Sequence, residues 1–207
     1  MKSLLVALSV ALLLAGCAST MRTEVTQFSS LNGAPTGRSF AVFAEPAQSG
    51  NLEFQHYAGL VSGALQTHGF TPAPAGGNAD VIVVVHYGSV GNHTEIYGDP
   101  AWGAWGGYGY GWRRRWGPGW HGEVESTTYY AQSLEVQLFD GAAWRNNVHT
   151  MLYQGRAVGD SPVNDINAAV PALVTALFTH FPGNSGQTER VLVPLTELPP
   201  SGTKAAR

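Results

Sequence analysis

Cysteine occurs once in the 207 residues, at position 17, so no intramolecular disulfide framework can hold this fold together. Lysine occurs only at positions 2 and 204, and charged residues make up 12% of the chain, with a net charge of −3. General nucleic-acid binding rests on a surplus of phosphate-neutralising cations, so nucleic acid is not expected as a partner. Long apolar runs are also missing. The longest, Leu4 to Leu14, has about eleven residues, whereas a membrane-spanning helix needs about 20.

What the N-terminus does contain is an address. In "MKSLLVALSVALLLAGCAST", Lys2 supplies a positive start and the short apolar run fits a secretory signal. Its end, Leu14-Ala15-Gly16-Cys17, resembles the bacterial lipobox, in which the cysteine becomes the new N-terminus and the lipid carrier. Acylation also removes a thiol that an oxidising compartment would attack. One acyl chain anchors only marginally, so the diacylglycerol and N-acyl chains (palmitate, for example) that the lipobox implies are what stable anchoring requires. Position 18 is Ala and not the Asp of inner-membrane retention, which favours a periplasm-facing site on the outer membrane. Removing residues 1–16 removes Lys2, leaving ten Lys plus Arg against fourteen Asp plus Glu, a net charge near −4. The expected organisation is a signal peptide (1–16), a lipidated N-terminus and tether (17–38), one domain (39–195) and a flexible tail (196–207). About 20 extended residues would give that tether a reach of at most ~70 Å.

Within the tether, "VTQF" is the only strand-like piece and suggests an edge strand at most. "SFAVF" (39–43) reads as a strand. Tyr57, Leu60, Val61, Ala64 and Leu65 recur with helical period, Asn51 can cap that helix, and Gly69-Phe70 fits a left-handed C-terminal cap. "ADVIVVVHYGSV" (79–90) is apolar on both faces, as in a central strand. Leu134, Val136 and Leu138 alternate with Ser133, Glu135 and Gln137, a half-buried strand. Asp140-Gly141 begins a turn leading into a hairpin with residues 148–158. Asn164 or Asp165 can cap a second helix bearing Ile166, Val170, Leu173 and Leu177, with Pro171 forcing either a kink or a start about one turn earlier. "ERVLVPL" adds a last strand. The fold class predicted is α+β: a two-layer sandwich with a mainly antiparallel sheet of five to six strands and two helices on one face.

These pieces, in order, resemble a family. The lipobox, the "SFAVF" strand, "LEFQHYAGLVSGALQTHGF", "ADVIVVV", an aromatic–glycine loop and a strand carrying "LYQGRA" look like the bacterial lipoprotein family known as domain of unknown function 4136. The resemblance covers residues 22–182 and implies a fold and a location, with no activity attached. Where the family has Trp-x-Gly in the second hairpin strand, this chain has Tyr153-Gln154-Gly155.

The candidate contact site is the insertion 97–122. Its stretch "GDPAWGAWGGYGYGWRRRWGPGW" (98–120) holds five of the six tryptophans among eight glycines. A loop this long is usually functional or disordered, and glycine makes rigid packing of its rings entropically costly. Trp102, Trp105, Tyr108, Tyr110, Trp112, Trp116 and Trp120 therefore suggest an exposed aromatic surface for sugar rings, partner side chains or a membrane interface. Arg113, Arg114 and Arg115 add a positive spot for phosphate or carboxylate groups. Peptidoglycan, anionic lipid and another envelope protein are the expected partners. The competing reading folds these rings over the sheet's uncovered face.

Chemistry is weakly signalled. A small-molecule or metal site would use His86, His93 and His121 at the neck of the insertion, with Asp99. His56, His68, His149 and His180 are scattered. Ser62 has the wrong context for a nucleophile elbow. "GYGYGW" opens no helix and lacks a following Lys-Ser/Thr, so no cofactor is expected. Glu123 and Glu125 would share a strand face and could serve a hydrolase. The reading preferred is no enzyme but a non-catalytic envelope lipoprotein.

Overall fold

The computed structural model describes residues 20–31, 37–74, 77–97 and 125–194. In chain order these form β1 (Thr20–Ser29), β2 (Ser39–Phe43), α1 (Leu52–Thr67), β3 (Thr71–Pro72), β4 (Val81–Tyr97), β5 (Glu125–Asp140), α2 (Gly141–Arg145), β6 (Met151–Ser161), α3 (Ile166–Thr179) and β7 (Thr188–Pro194). The fold is α+β. Its seven strands make one open sheet in the order β3-β2-β4-β5-β6-β1-β7. Most pairs are antiparallel, while β2 runs parallel to both β3 and β4.

Three features depart from the sequence expectation. The sheet exceeds five to six strands, because Thr71–Pro72 adds a two-residue strand too short to leave any periodicity. The segment 20–29, expected within a tether, is a full strand lying between β6 and β7. Its inward residues are Met21, Thr23, Val25 and Gln27. Two of those four are polar, which hides the apolar alternation that marks a half-buried strand. Finally, the loop after Asp140 contains α2, a single helical turn capped by the Asp140 side chain on Ala143 N–H at 2.8 Å. There are thus three helices, two of them sizable.

The core explains the rest. Val81, Val83 and Val85 of β4 and Leu134, Val136 and Leu138 of β5 are buried in one cluster with Tyr57, Val61 and Leu65 of α1 and with Val170, Leu173 and Leu177 of α3. Asn51 caps α1 through Glu53 N–H at 2.8 Å. Gly69 (φ 89°) ends the helix: its N–H reaches Gln66 O and that of Phe70 reaches Leu65 O, a paired C-terminal cap that buries Phe70. In α3, Asp165 is the cap used, accepting from Asn167 N–H at 2.9 Å. Pro171 sits inside the helix, five residues past its start, where its missing N–H forgoes the bond to Asn167 O. The two helices meet at the Tyr57 hydroxyl, 2.6 Å from Asn167 Oδ1 and 3.0 Å from Glu53 Oε1. Burial, then the neighbouring Glu53, raises the Tyr57 hydroxyl pKa above its ordinary range.

The "YQG" of β6 also has a packing reason. Tyr153 and Gly155 are two residues apart and so share the helix-facing side of the strand. The Tyr153 ring lies against Gly155, where a Cβ would overlap the tyrosine hydroxyl and crowd Leu177 of α3. Glycine here makes room for an aromatic ring that is itself 1% exposed.

Candidate functional site

Helices α1 and α3 cover one face of the sheet; the other is open except at one end, where α2 lies over it. Along β4 the open side carries Ile82, Val84, His86 and Gly88, and the cross-strand register extends it through Glu135 and Ser133 of β5 to Arg156 and Val158 of β6. Gln137 and Gln154 both donate to Glu135 Oε1, at 2.6 and 2.8 Å, forming a polar knot at the centre of this face. His86 approaches Glu45 at 4.0 Å. At one end, Trp144 of α2 covers Phe139 (centroids 5.0 Å) and meets Phe43 and His149 edge-on.

At the other end β4 and β5 leave the sheet together. A bulge at Val90 shifts the register between Ser89 and Gly91, after which the two strands pair on to Tyr97↔Glu125. Every residue from Ser89 to Glu95 is exposed, and the Thr94 and Thr128 hydroxyls bond across the pair at 3.0 Å. The result is a two-stranded arm, and the insertion is the segment joining its two strands.

Where the arm leaves the sheet lies a polar basin of about 300 Å³ lined by Thr20, Arg22, His93, Glu95, Tyr129 and Asp160. His93 stacks on Tyr129 (centroids 5.5 Å, planes 20° apart) and stands 3.9 Å from both Glu95 and Asp160. The basin joins an aromatic face, two carboxylates, an imidazole and a guanidinium, with His93, Glu95 and Asp160 each about half exposed. Such a set suits hydrogen bonding to a small polar or zwitterionic group.

The expected site residues fare differently. Cys17, Asp99, Trp102, Trp105, Tyr108, Tyr110, Trp112, Arg113, Arg114, Arg115, Trp116, Trp120, His121 and Glu123 lie outside the described residues, and for Glu125 only the strand position is described. His86 and His93 do not meet. Seven residues along one strand separate them by about 20 Å, far beyond a shared metal ion. No group of three potential metal ligands occurs among the described residues. Ser62 donates to Ala58 O at 2.6 Å within α1, the packing role of a small helical residue. His68 packs against Phe178 and Phe181, and His180 pairs with Glu189 at 2.9 Å.

Sequence reasoning missed Arg22, Glu95, Tyr129 and Asp160. These come from four different strands, and only their register brings them together; the single signal available was the weak alternation of β1.

These features define the class: an α+β domain with one helix-covered sheet face, one open face and a projecting hairpin. The chain belongs to the DUF4136 family, described as a domain of unknown function, whose family model matches residues 24–183. A search of curated proteins finds no match. Among solved structures, a PDZ domain protein from Parabacteroides distasonis ATCC 8503 is similar at 13% identity and a TM-score of 0.45, over 88% of this chain and 42% of that one. This chain therefore spans under half the length of that protein. The PelC dodecamer from Paraburkholderia phytofirmans is similar at 11% identity and a TM-score of 0.36, over 76% of this chain and 95% of that one. Neither likeness is close enough to carry a function across. No helix among the described residues is long and apolar enough to cross a membrane.

Proposed function

We propose that this protein is a non-catalytic cell-envelope lipoprotein, anchored through Cys17 on the periplasmic side of the outer membrane and working by contact. The observation that carries this reading is the arm: β4 and β5 pair on beyond the helix-covered sheet to Tyr97 and Glu125, the two residues between which the aromatic–arginine segment 98–120 is inserted in the sequence. Regular strands that expose every residue from Ser89 to Glu95 contribute little to burial; a module built to present a segment has use for them. Lipidation of the sole cysteine supplies the location, and the segment's rings and guanidinium groups supply the contact chemistry. The test is co-sedimentation of the lipid-free protein with purified peptidoglycan and with anionic liposomes, with and without residues 98–120. Binding lost on deletion is the expected result. Binding unchanged by deletion removes the segment from the function.

A second reading, a periplasmic binder of a small polar molecule, is favoured by the basin around His93. The trio His86, His93 and His121 does not support its metal-binding form, because His86 and His93 are held apart. Ligand screening by thermal shift against Arg22→Ala and Tyr129→Ala checks it: a stabilising ligand whose effect survives both substitutions lies elsewhere.

A further inference from the structure

The length of chain between the anchor and the fold is shorter than the arm. β1 begins at Thr20, and three residue steps from Cys17 to Thr20 span at most about 11 Å. Thr23 is level with Gly159, and Gly159 is level with Gln132. β1 and β5 both pair antiparallel with β6, so they run in the same direction and both start at the same end of the sheet. Three residues back from that level, Thr20 therefore lies level with Tyr129, and both line the same basin. β5 continues four residues further, to Glu125, which is about 13 Å past Thr20. The arm thus extends past the start of the fold by as much as the anchor segment can reach.

From this we propose that the end of the β4–β5 arm, Thr94 to Tyr97 with Glu125 to Thr128, rests among the lipid headgroups of the same bilayer that holds Cys17. The sheet strands then stand steeply on the membrane, with α2 and the Phe43–Trp144 cluster at the far end. This rests on the Cys17 anchoring proposed above, and it names the partner of the arm as lipid, not peptidoglycan or protein. A fold tied so closely has no long reach into the periplasm, unlike one on a 20-residue tether. The exposed Thr and Ser hydroxyls of the arm suit the hydrogen-bonding headgroup layer, where the open strand edges of a hairpin can still find partners.

The experiment uses the full lipidated protein reconstituted in phosphatidylethanolamine–phosphatidylglycerol vesicles. Because acylation occupies the native sulfur, Ser126→Cys and Ala142→Cys each provide one free thiol for an environment-sensitive fluorophore. Ser126 is exposed on the arm; Ala142 is exposed on α2, about 45 Å away along β5. The label on the Ser126 variant is expected to lose at least half its fluorescence to headgroup spin-labelled lipid, while that on the Ala142 variant loses almost none. Thr94→Cys, on the other strand of the arm, repeats the measurement should the first variant misfold, and circular dichroism verifies each fold. A lipidated protein, confirmed by the mass of its N-terminal peptide, whose arm labels both stay unquenched overturns the proposal and leaves the anchor intact. An N-terminal peptide carrying no lipid overturns the anchor reading and this proposal with it.

Discussion

Gly155→Ala should destabilise the protein through one identifiable collision. The added Cβ would overlap the Tyr153 hydroxyl, with Tyr153 Cζ at 2.6 Å and Leu177 Cδ1 at 2.9 Å. Neither neighbour has free space: Tyr153 is 1% exposed with Phe181 at 4.8 Å between centroids, and Leu177 is fully buried. Overpacking of a closed core costs about 1–3 kcal/mol, and two crowded neighbours place this case at about 2–3 kcal/mol. For a domain of this size that lowers Tm by about 5–10 °C. Tyr153→Phe alone should cost less than about 1 kcal/mol, since its hydroxyl makes only a 3.4 Å bond to Gln27 Oε1. In the double variant the nearest clashing atom is absent, so the two effects should fall short of additivity by about 1 kcal/mol. Urea unfolding of a soluble chain beginning at residue 18, followed by circular dichroism, measures all three. Strict additivity, or a Gly155→Ala variant as stable as the parent, would refute the idea that this glycine exists to seat the tyrosine.

Gly141→Ala should be at least as damaging, because its Cβ would meet the Ala79 carbonyl and break the 2.8 Å bond from Gly141 N–H to Asp80 O; a melting curve unmoved by this change contradicts the packing described. Tyr57→Phe should cost about 1–2 kcal/mol by removing the hydroxyl between α1 and α3, and a loss below ~0.5 kcal/mol in urea would show that the bridge is idle. The Tyr57 and Tyr153 hydroxyls are both raised in the fold, by burial foremost, so the folded state holds their protons more tightly than the unfolded chain. Their stabilisation is complete below the ordinary tyrosine range and is lost as pH rises above about 10, an alkaline decline that Tyr57→Phe should make shallower. Asp80 is held below the usual carboxylate range by the Ser39 N–H and then its Oγ, which lie 2.9 and 2.7 Å away. Its contribution is present above the unfolded carboxylate value and is lost as pH falls through the folded one. Ser39→Ala should move the Asp80 titration upward in an NMR pH series, and an unmoved titration would refute the assignment.

Much of the domain was legible in the chain because its signals are local. The period of Tyr57, Val61 and Leu65, the cap at Asn51 and the Gly69-Phe70 stop all act within a few residues, and they define α1 without reference to any partner. The apolar run from Val81 to Val85 and the alternation from Leu134 to Leu138 likewise mark strands by their own burial. In β1 only Val25–Phe28 reads as a strand piece from the sequence, for the opposite reason. Its buried Gln27 is acceptable because distant partners satisfy it: Leu177 O, 150 positions away, accepts from its side chain at 3.2 Å and the Tyr153 hydroxyl donates to it at 3.4 Å, and no window of sequence contains them.

By itself, then, the sequence determined the helix and strand segments that carry their own periodicity, and the family resemblance. Tertiary structure alone decided that residues 20–29 lie inside the sheet between β6 and β7 instead of trailing from it, that His86 and His93 stay apart, and that Arg22, His93, Glu95, Tyr129 and Asp160 face one basin. The physical reason is strand register. Side chains as distant in the chain as Arg22 and Asp160, 138 positions apart, become neighbours only when backbone hydrogen bonds set which residue lies opposite which, and a slip of one position would turn a strand's side chains to the other face.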